Sequence, residues 1–184
     1  VLGIDPQAGA RAEEVAREMY RPIIERRVPF LVTDRETAEM VKTAANAFLA
    51  TKISFINAMA DVCEAAGADI TELADAIGYD ARIGRRFLNA GIGFGGGCLP
   101  KDIRAFMARA GELGASQALT FLGEVDGINM RRRTRLVEMA REISGGSLIG
   151  VNVAVLGAAF KPDSDDVRDS PALNIAGQIQ LQGA

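Results

Sequence analysis

The stretch from Thr33 to Gly67 constrains the fold more than any other part of the chain. Met40, Val41, Ala44, Phe48, Leu49, Ile53, Ile56, Met59 and Val62 recur in it at helical spacing. Thr33 and Glu36 have the spacing of a capping box, and Gly67 is a natural stop. The segment predicts one helix of more than about 30 residues, long for a globular protein. Its apolar residues wrap around much of the circumference. That predicts a core helix buried on several sides, of the kind that carries a dimer interface.

Shorter elements flank it. Val15, Met19, Ile23 and Ile24 predict a helix from Gly9 to Arg27, ended by Pro29. Val1–Ile4 and Pro29–Thr33 read as short strands, so the chain opens as the end of an α/β unit. After the long helix, Asp69 or Thr71 opens a helix over Ile70–Ile77. A glycine-rich loop runs from Gly78 to Gly97, and Pro100 starts a helix that reaches about Leu113. Another helix spans about Ser116–Ile143, ending at Gly145–Gly146. Val151–Leu156 is a β-branched run with the look of a buried parallel strand. A polar loop, Lys161–Ser170, leads into a last helix from Pro171. The fold class is mainly α: a central helical dimerisation domain with a long core helix, flanked by partial α/β Rossmann-type pieces.

Composition removes several chemistries. The 184 residues include no His and no Trp. A Ser-His-Asp triad, a Cys-His dyad and every imidazole metal site are therefore excluded, and no metal site is expected. Acid–base work falls to carboxylates, lysine, cysteine, tyrosine or water. The formal net charge of −3 speaks against a nucleic-acid partner. The basic run Arg131–Arg133 reads as a solvated helix face rather than a phosphate grip. No stretch approaches the roughly 18 apolar residues of a membrane span, and no signal peptide is visible. Cys63 and Cys98 do not make a disulfide framework, which fits a reducing cytoplasm. Both ends fall inside predicted elements, so we expect a piece of a longer chain.

Gly91–Asp102, GIGFGGGCLPKD, is the segment richest in chemistry. Ordering so many glycines is costly, which points to a backbone requirement such as close approach to a ligand. Cys98 immediately precedes a helix N-terminus, where free amides and the helix dipole favour a thiolate. Lys101 adds positive field, and Asp102 lies one turn further on. Together they form a plausible cluster for covalent catalysis. The alternative is a structural cysteine beside a helix cap. Cys63, among apolar neighbours, reads as a small buried hydrophobe. Lys42 and Asn46 share a helix face, with Asn57 about three turns on near the same stripe. They are either turned toward a site or a solvent-facing strip. Arg82, Arg85 and Arg86 are candidates for an anion, or simply exposed.

Three strings carry a family resemblance: EMVKTAANAFLATKISFINAMA, RIGRRFLNAGIGFGGGCLPKD and VAVLGAAFKPDSDDVRDSP. The chain resembles the UDP-glucose/GDP-mannose dehydrogenase family, the nucleotide-sugar 6-dehydrogenases, from Phe30 to about Ala172. The resemblance implies that residues 1–33 are the end of an NAD-binding Rossmann domain. Residues 34–147 would be the central helical, dimer-forming domain, and 148–184 the start of a Rossmann-like domain that binds the nucleotide of the sugar. It further implies a twofold oxidation of a C6 alcohol to a carboxylate with two NAD, through a thiohemiacetal and a thioester on Cys98. Lys42 and Asn46 would stabilise the oxyanion, and Asp102 would position water. Phe87, Leu88, Asn89, Gly91, Gly95 and Lys101 would lie along the nucleotide sugar, with Phe160 and Lys161 as further substrate contacts. Arg82 would reach into a partner subunit's site, and Arg168 would contact NAD.

The string Arg82–Gly91 leans toward UDP-glucose. GDP-mannose and a UDP-N-acetylamino sugar are the alternatives, and a non-catalytic helical dimerisation module is the rival of another class. The family's N-terminal glycine fingerprint and its catalytic glutamate have no counterpart in these residues, so the 184-residue chain alone is expected to be inactive. Gly97 stands where a serine is common in the family.

Overall fold

The computed structural model describes residues 1–5, 7 and 10–184. The chain divides into two compact units, Val1–Ala45 and Asn46–Ala184, and one long helix, α3 (Arg35–Ala66), runs through both.

In the first unit, β1 (Leu2–Gly3) and β2 (Val32–Thr33) pair in parallel, Leu2 opposite Val32 and Gly3 opposite Thr33. Parallel strands need a crossover, and α1 (Ala10–Met19) and α2 (Arg21–Ile24) lie in it. The helix expected from Gly9 to Arg27 is thus two helices, and Gly9 lies outside the described residues. The break at Tyr20 follows from Pro22, which has no N–H for the Glu18 carbonyl and crowds it. The second strand is shorter than expected and only half-buried, with Leu31 59% exposed. Arg17 stacks over Phe30, 4.9 Å from the ring centre. Gly3 is required by close approach: a Cβ there would stand 2.7 Å from Ala38 Cβ and 2.9 Å from Arg35 Cα.

The cap of α3 sits one residue later than the capping-box reading. Thr33 belongs to β2, and the Asp34 carboxylate accepts from the Thr37 amide (2.6 Å) and hydroxyl (2.8 Å). These bonds, led by the amide, hold the Asp34 carboxyl below its ordinary range. At the other end Gly67 turns left-handed (φ +71°), and the Ala68 amide donates to the Cys63 carbonyl.

The second unit adds α4 (Ile70–Gly78), α5 (Leu99–Glu112), a 3-10 turn (Ser116–Leu119), α6 (Thr120–Ile143) and α7 (Pro171–Leu181). Asp69 caps α4 by accepting from the Thr71 and Glu72 amides. The main core joins α3, α5 and α6 through Ala47, Ala50, Ile103, Leu122 and Val125, with Phe94 from the glycine loop. Ser54 adds a buried polar tie, donating to the Val125 carbonyl at 2.7 Å. Val137, Leu148, Ile175 and Ile179 seal α6 against α7, and Ile56, Ala74 and Leu88 seal α3 against α4. Each fully buried Leu or Ile contributes about 1.5–3 kcal/mol.

Two expectations are corrected here. Val151–Leu156 is not a strand: among the described residues no backbone ladder pairs with it, and Leu156 is 95% exposed. A β-branched run becomes a strand only where a neighbour takes its N–H and C=O groups. The burial of α3 is also less complete than expected: α5 and α6 cover it at Ala47 and Ala50 and α4 covers it at Ile56, but Phe48, Phe55 and Val62, seven residues apart, stay largely exposed.

Candidate functional site

Cys98 is the N-cap residue of α5 and is exposed, with no side-chain bond to the helix amides. Pro100, at the second helical position rather than the first, needs no N–H acceptor there. One turn into α5, Asp102 is buried and bonds to Asn46 and Lys101. Asn46 Nδ2 donates to it at 2.6 Å, and Lys101 Nζ lies 2.9 Å from its other oxygen. The Asp102 amide donates to the Cys98 carbonyl at 2.8 Å. The structure thus unites Cys98, Lys101, Asp102 and Asn46 around the start of one helix. Lys42 lies one turn before Asn46 on α3.

The thiol opens on a cavity of about 500 Å³. Phe87, Asn89, Gly95, Phe160 and Lys161 line it with Cys98, and Ile53, Gly93, Phe94, Leu99 and Pro162 complete the wall. An apolar lining with a few polar groups suits a small-molecule site, and the volume falls in the range of about 300–1,000 Å³ for such sites. The other expected residues stand elsewhere. Leu88 turns its side chain into the core beside Ile56 and Ala74. Arg82 is exposed and forks onto Asp80 at 2.6–3.1 Å. Arg85 is structural rather than free for an anion, since it holds Asp75, the Leu88 carbonyl and Asn89 Oδ1.

The glycines answer to the chain itself. A Cβ at Gly95 would overlap the Asp169 carbonyl oxygen, one at Gly96 would stand 2.7 Å from the Phe160 ring, and one at Gly97 2.8 Å from the Arg168 guanidinium. Three successive glycines let the segment 160–170 lie directly on the backbone that leads to Cys98. The Gly96 amide donates to the Arg168 carbonyl at 2.8 Å, and Ser170, the cap of α7, ties back to the Ala158 carbonyl at 2.6 Å. Arg168 forks onto Asp166. That pairing pulls the Asp166 carboxyl down to about 2 and raises Arg168, to which the nearby Cys98 adds a smaller push.

Sequence reasoning missed the residues that hold this loop. The Arg131–Arg133 run is a solvated face only at Arg131. Arg133 is 1% exposed and donates to Asp169 (3.0 Å) and to the Phe94 carbonyl (3.2 Å). Arg132 donates to the Gly91 carbonyl (3.0 Å) and pairs with Asp61. Asn129 is also buried, accepting from the Phe94 amide (2.7 Å) and donating to its carbonyl (3.1 Å). Asn57, placed by its spacing near the Lys42–Asn46 stripe, accepts from the Gly91 amide at 2.8 Å and is wholly buried. The one available signal was the helical spacing of Asn129, Arg132 and Arg133 on a stretch otherwise rich in apolar positions.

Residues 36–131 match the central domain of the UDP-glucose/GDP-mannose dehydrogenase family, and residues 154–184 match that family's UDP-binding domain. The chain belongs to the UDP-glucose/GDP-mannose dehydrogenase family. It is 42% identical over its whole length to a UDP-glucose 6-dehydrogenase of Rhizobium meliloti, 41% of which it covers. The structure of a UDP-glucose dehydrogenase from Pyrobaculum islandicum matches 96% of this chain with 39% of its own, at a TM-score of 0.87 and 38% identity. That of a UDP-D-ManNAc dehydrogenase from Pyrococcus horikoshii matches 95% with 40% of its own, at 0.79 and 29%. The chain spans about two fifths of the length of these relatives. Among the described residues, no helix is long and apolar enough to cross a membrane.

Proposed function

We propose that this chain supplies the thiol site and part of the sugar site of an NAD-dependent dehydrogenase that oxidises the C6 alcohol of UDP-glucose to UDP-glucuronate. The observation that carries the reading is the exposed Cys98 thiol, set at the start of α5 on the edge of a 500 Å³ cavity. A merely structural cysteine needs neither exposure nor a cavity, which speaks against the non-catalytic module.

In this reading Cys98 is the nucleophile that adds to the C6 aldehyde and later carries the acyl group as a thioester. Lys42 and Asn46 stabilise the oxygen anion formed in each addition. Asn46 is held for that task by its bond to Asp102. Asp102 in turn orients the water that releases the acid, with Lys101 fixing its second oxygen. Phe87, Asn89, Gly95, Phe160 and Lys161 receive the nucleotide sugar along the cavity. Leu88 and Gly91 shape the loop from beneath, and Arg82 extends outward toward a second subunit. Arg168 is the residue here that fits NAD: its side chain is 73% exposed, lies against Gly97 and is one residue from the thiol, a donor for a phosphate or carboxamide oxygen. NAD, when bound, supplies the hydride acceptor.

The domain reading follows: 1–33 as the end of a cofactor domain, 34–147 as the central helical domain, 148–184 as the start of the UDP-binding domain. The exposed Phe48, Phe55 and Val62 stripe of α3 supports a homodimer through the central helices. The N-acetylamino-sugar alternative has support in the Pyrococcus relative.

The test is Cys98→Ser in the full-length protein with UDP-glucose and NAD. The wild type is expected to form two NADH per UDP-glucuronate, and the variant to lose acid formation by at least about 10³-fold. Retained acid formation in the variant refutes the nucleophile assignment. A wild type active only on another nucleotide sugar refutes the substrate.

A further inference from the structure

We infer that Arg133 is a positioning residue for Cys98: its buried guanidinium bolts the glycine loop and the segment 160–170 into one rigid wall of the cavity. The inference rests on Cys98 as the reacting group.

Four side chains from two helices grip the main chain of the loop at two points. At Gly91, the amide is held by Asn57 of α3 and the carbonyl by Arg132 of α6. At Phe94, Asn129 holds amide and carbonyl together, and Arg133 adds a second bond to the carbonyl. Of these four, Arg133 alone also reaches the C-terminal segment, through Asp169 at 3.0 Å.

Asp169 is the hinge point of that segment. Its backbone is left-handed (φ +46°), a conformation non-glycine residues adopt only when the surroundings enforce it. Its carbonyl lies on Gly95, its neighbour Arg168 covers Gly97, and Phe160 covers Gly96. Cys98 and the pair Phe160 and Lys161, all in the wall of the cavity, are therefore set relative to one another through Arg133. A guanidinium suits the task because its rigid planar fork sets one N–H group on each acceptor in a fixed geometry, whereas an ammonium is a point charge on a flexible stem. Arg133 is buried away from the cavity lining and acts only through the groups it holds.

The test uses the full-length protein with Arg133→Lys and Asp169→Asn. Arg133→Lys keeps the charge and loses the fork. Asp169→Asn weakens the link from the more exposed side, where folding is less at stake. We expect kcat to fall by about 10- to 100-fold with KM for UDP-glucose changed by less than about threefold, the pattern of a misplaced reacting group. Hydrogen exchange at the Gly95–Cys98 amides is expected to rise by about tenfold or more, with α4 unchanged. Guanidinium ion at millimolar concentration is expected to restore part of the kcat of Arg133→Ala. Wild-type kcat and exchange in folded Arg133→Lys and Asp169→Asn proteins overturn the proposal. So does a loss that appears in KM alone. Faster loop exchange in a protein whose wild type oxidises no nucleotide sugar supports the bolt and refutes the proposed function, so the two failures are told apart.

Discussion

At the scale of single residues, the glycines before Cys98 are defined by what presses on them. Gly96 combines a left-handed φ of +83° with a ring 2.7 Å from where a Cβ would stand. Gly96→Ala is expected to cost about 1–3 kcal/mol, read by denaturant unfolding, because Phe160 must give way and the backbone is strained. Gly111→Ala, with open space around it on α5, serves as the control and is expected to be neutral or mildly stabilising. The need for glycine was legible in the sequence. Its cause was not: proximity to a ligand and proximity to the chain's own later segment produce the same string. Cys98 was legible because a cysteine ahead of Leu-Pro marks a helix start whatever lies around it. Arg133 was not, since three arginines in a row look alike until the helix is packed and one of them faces inward.

At the scale of elements, the loop from Phe160 to Ser170 depends on charge. Asp166 holds Arg168, and its carboxyl is drawn down to about 2. A carboxylate lowered on folding contributes stability that is complete above its unfolded value of about 3.9 and is lost as pH falls through about 2. The loop is therefore expected to loosen as pH drops from about 4 to 2, seen as faster amide exchange at Asp166–Ser170. Asp166→Asn is expected to remove that pH dependence and leave the loop equally loose at neutral pH. An unchanged pH profile in Asp166→Asn refutes the assignment. Elements set by local signals agree with the sequence: Gly67 ends α3, Asp69 caps α4, and Ser170 with Pro171 opens α7. Elements that need a partner do not. Val151–Leu156 has strand composition without a ladder, and the helix of the first unit breaks where Pro22 removes a bond.

At the scale of the whole molecule, α3 carries a stripe that the chain itself does not cover. Phe48, Phe55 and Val62 repeat every seven residues, the period at which two helices keep a seam in register. On the homodimer proposed above, Phe55→Glu is expected to convert the full-length protein from dimer to monomer in sedimentation velocity, by burying a charge in an apolar seam. A dimer that survives Phe55→Glu and Phe48→Glu together places the interface elsewhere.

The sequence by itself determined the long helix, the glycine that stops it, the helix start at Cys98 and the family, because each rests on residues close together in the chain or on strings long enough to be specific. Only the tertiary structure decided which face of α3 is buried, that Asn46 holds Asp102, that Arg133 joins Phe94 to Asp169, and that Phe160 roofs Gly96. These contacts join residues 36 to 64 positions apart. Spacing along one helix says which side chains share a face, but only packing says which face is covered and by what.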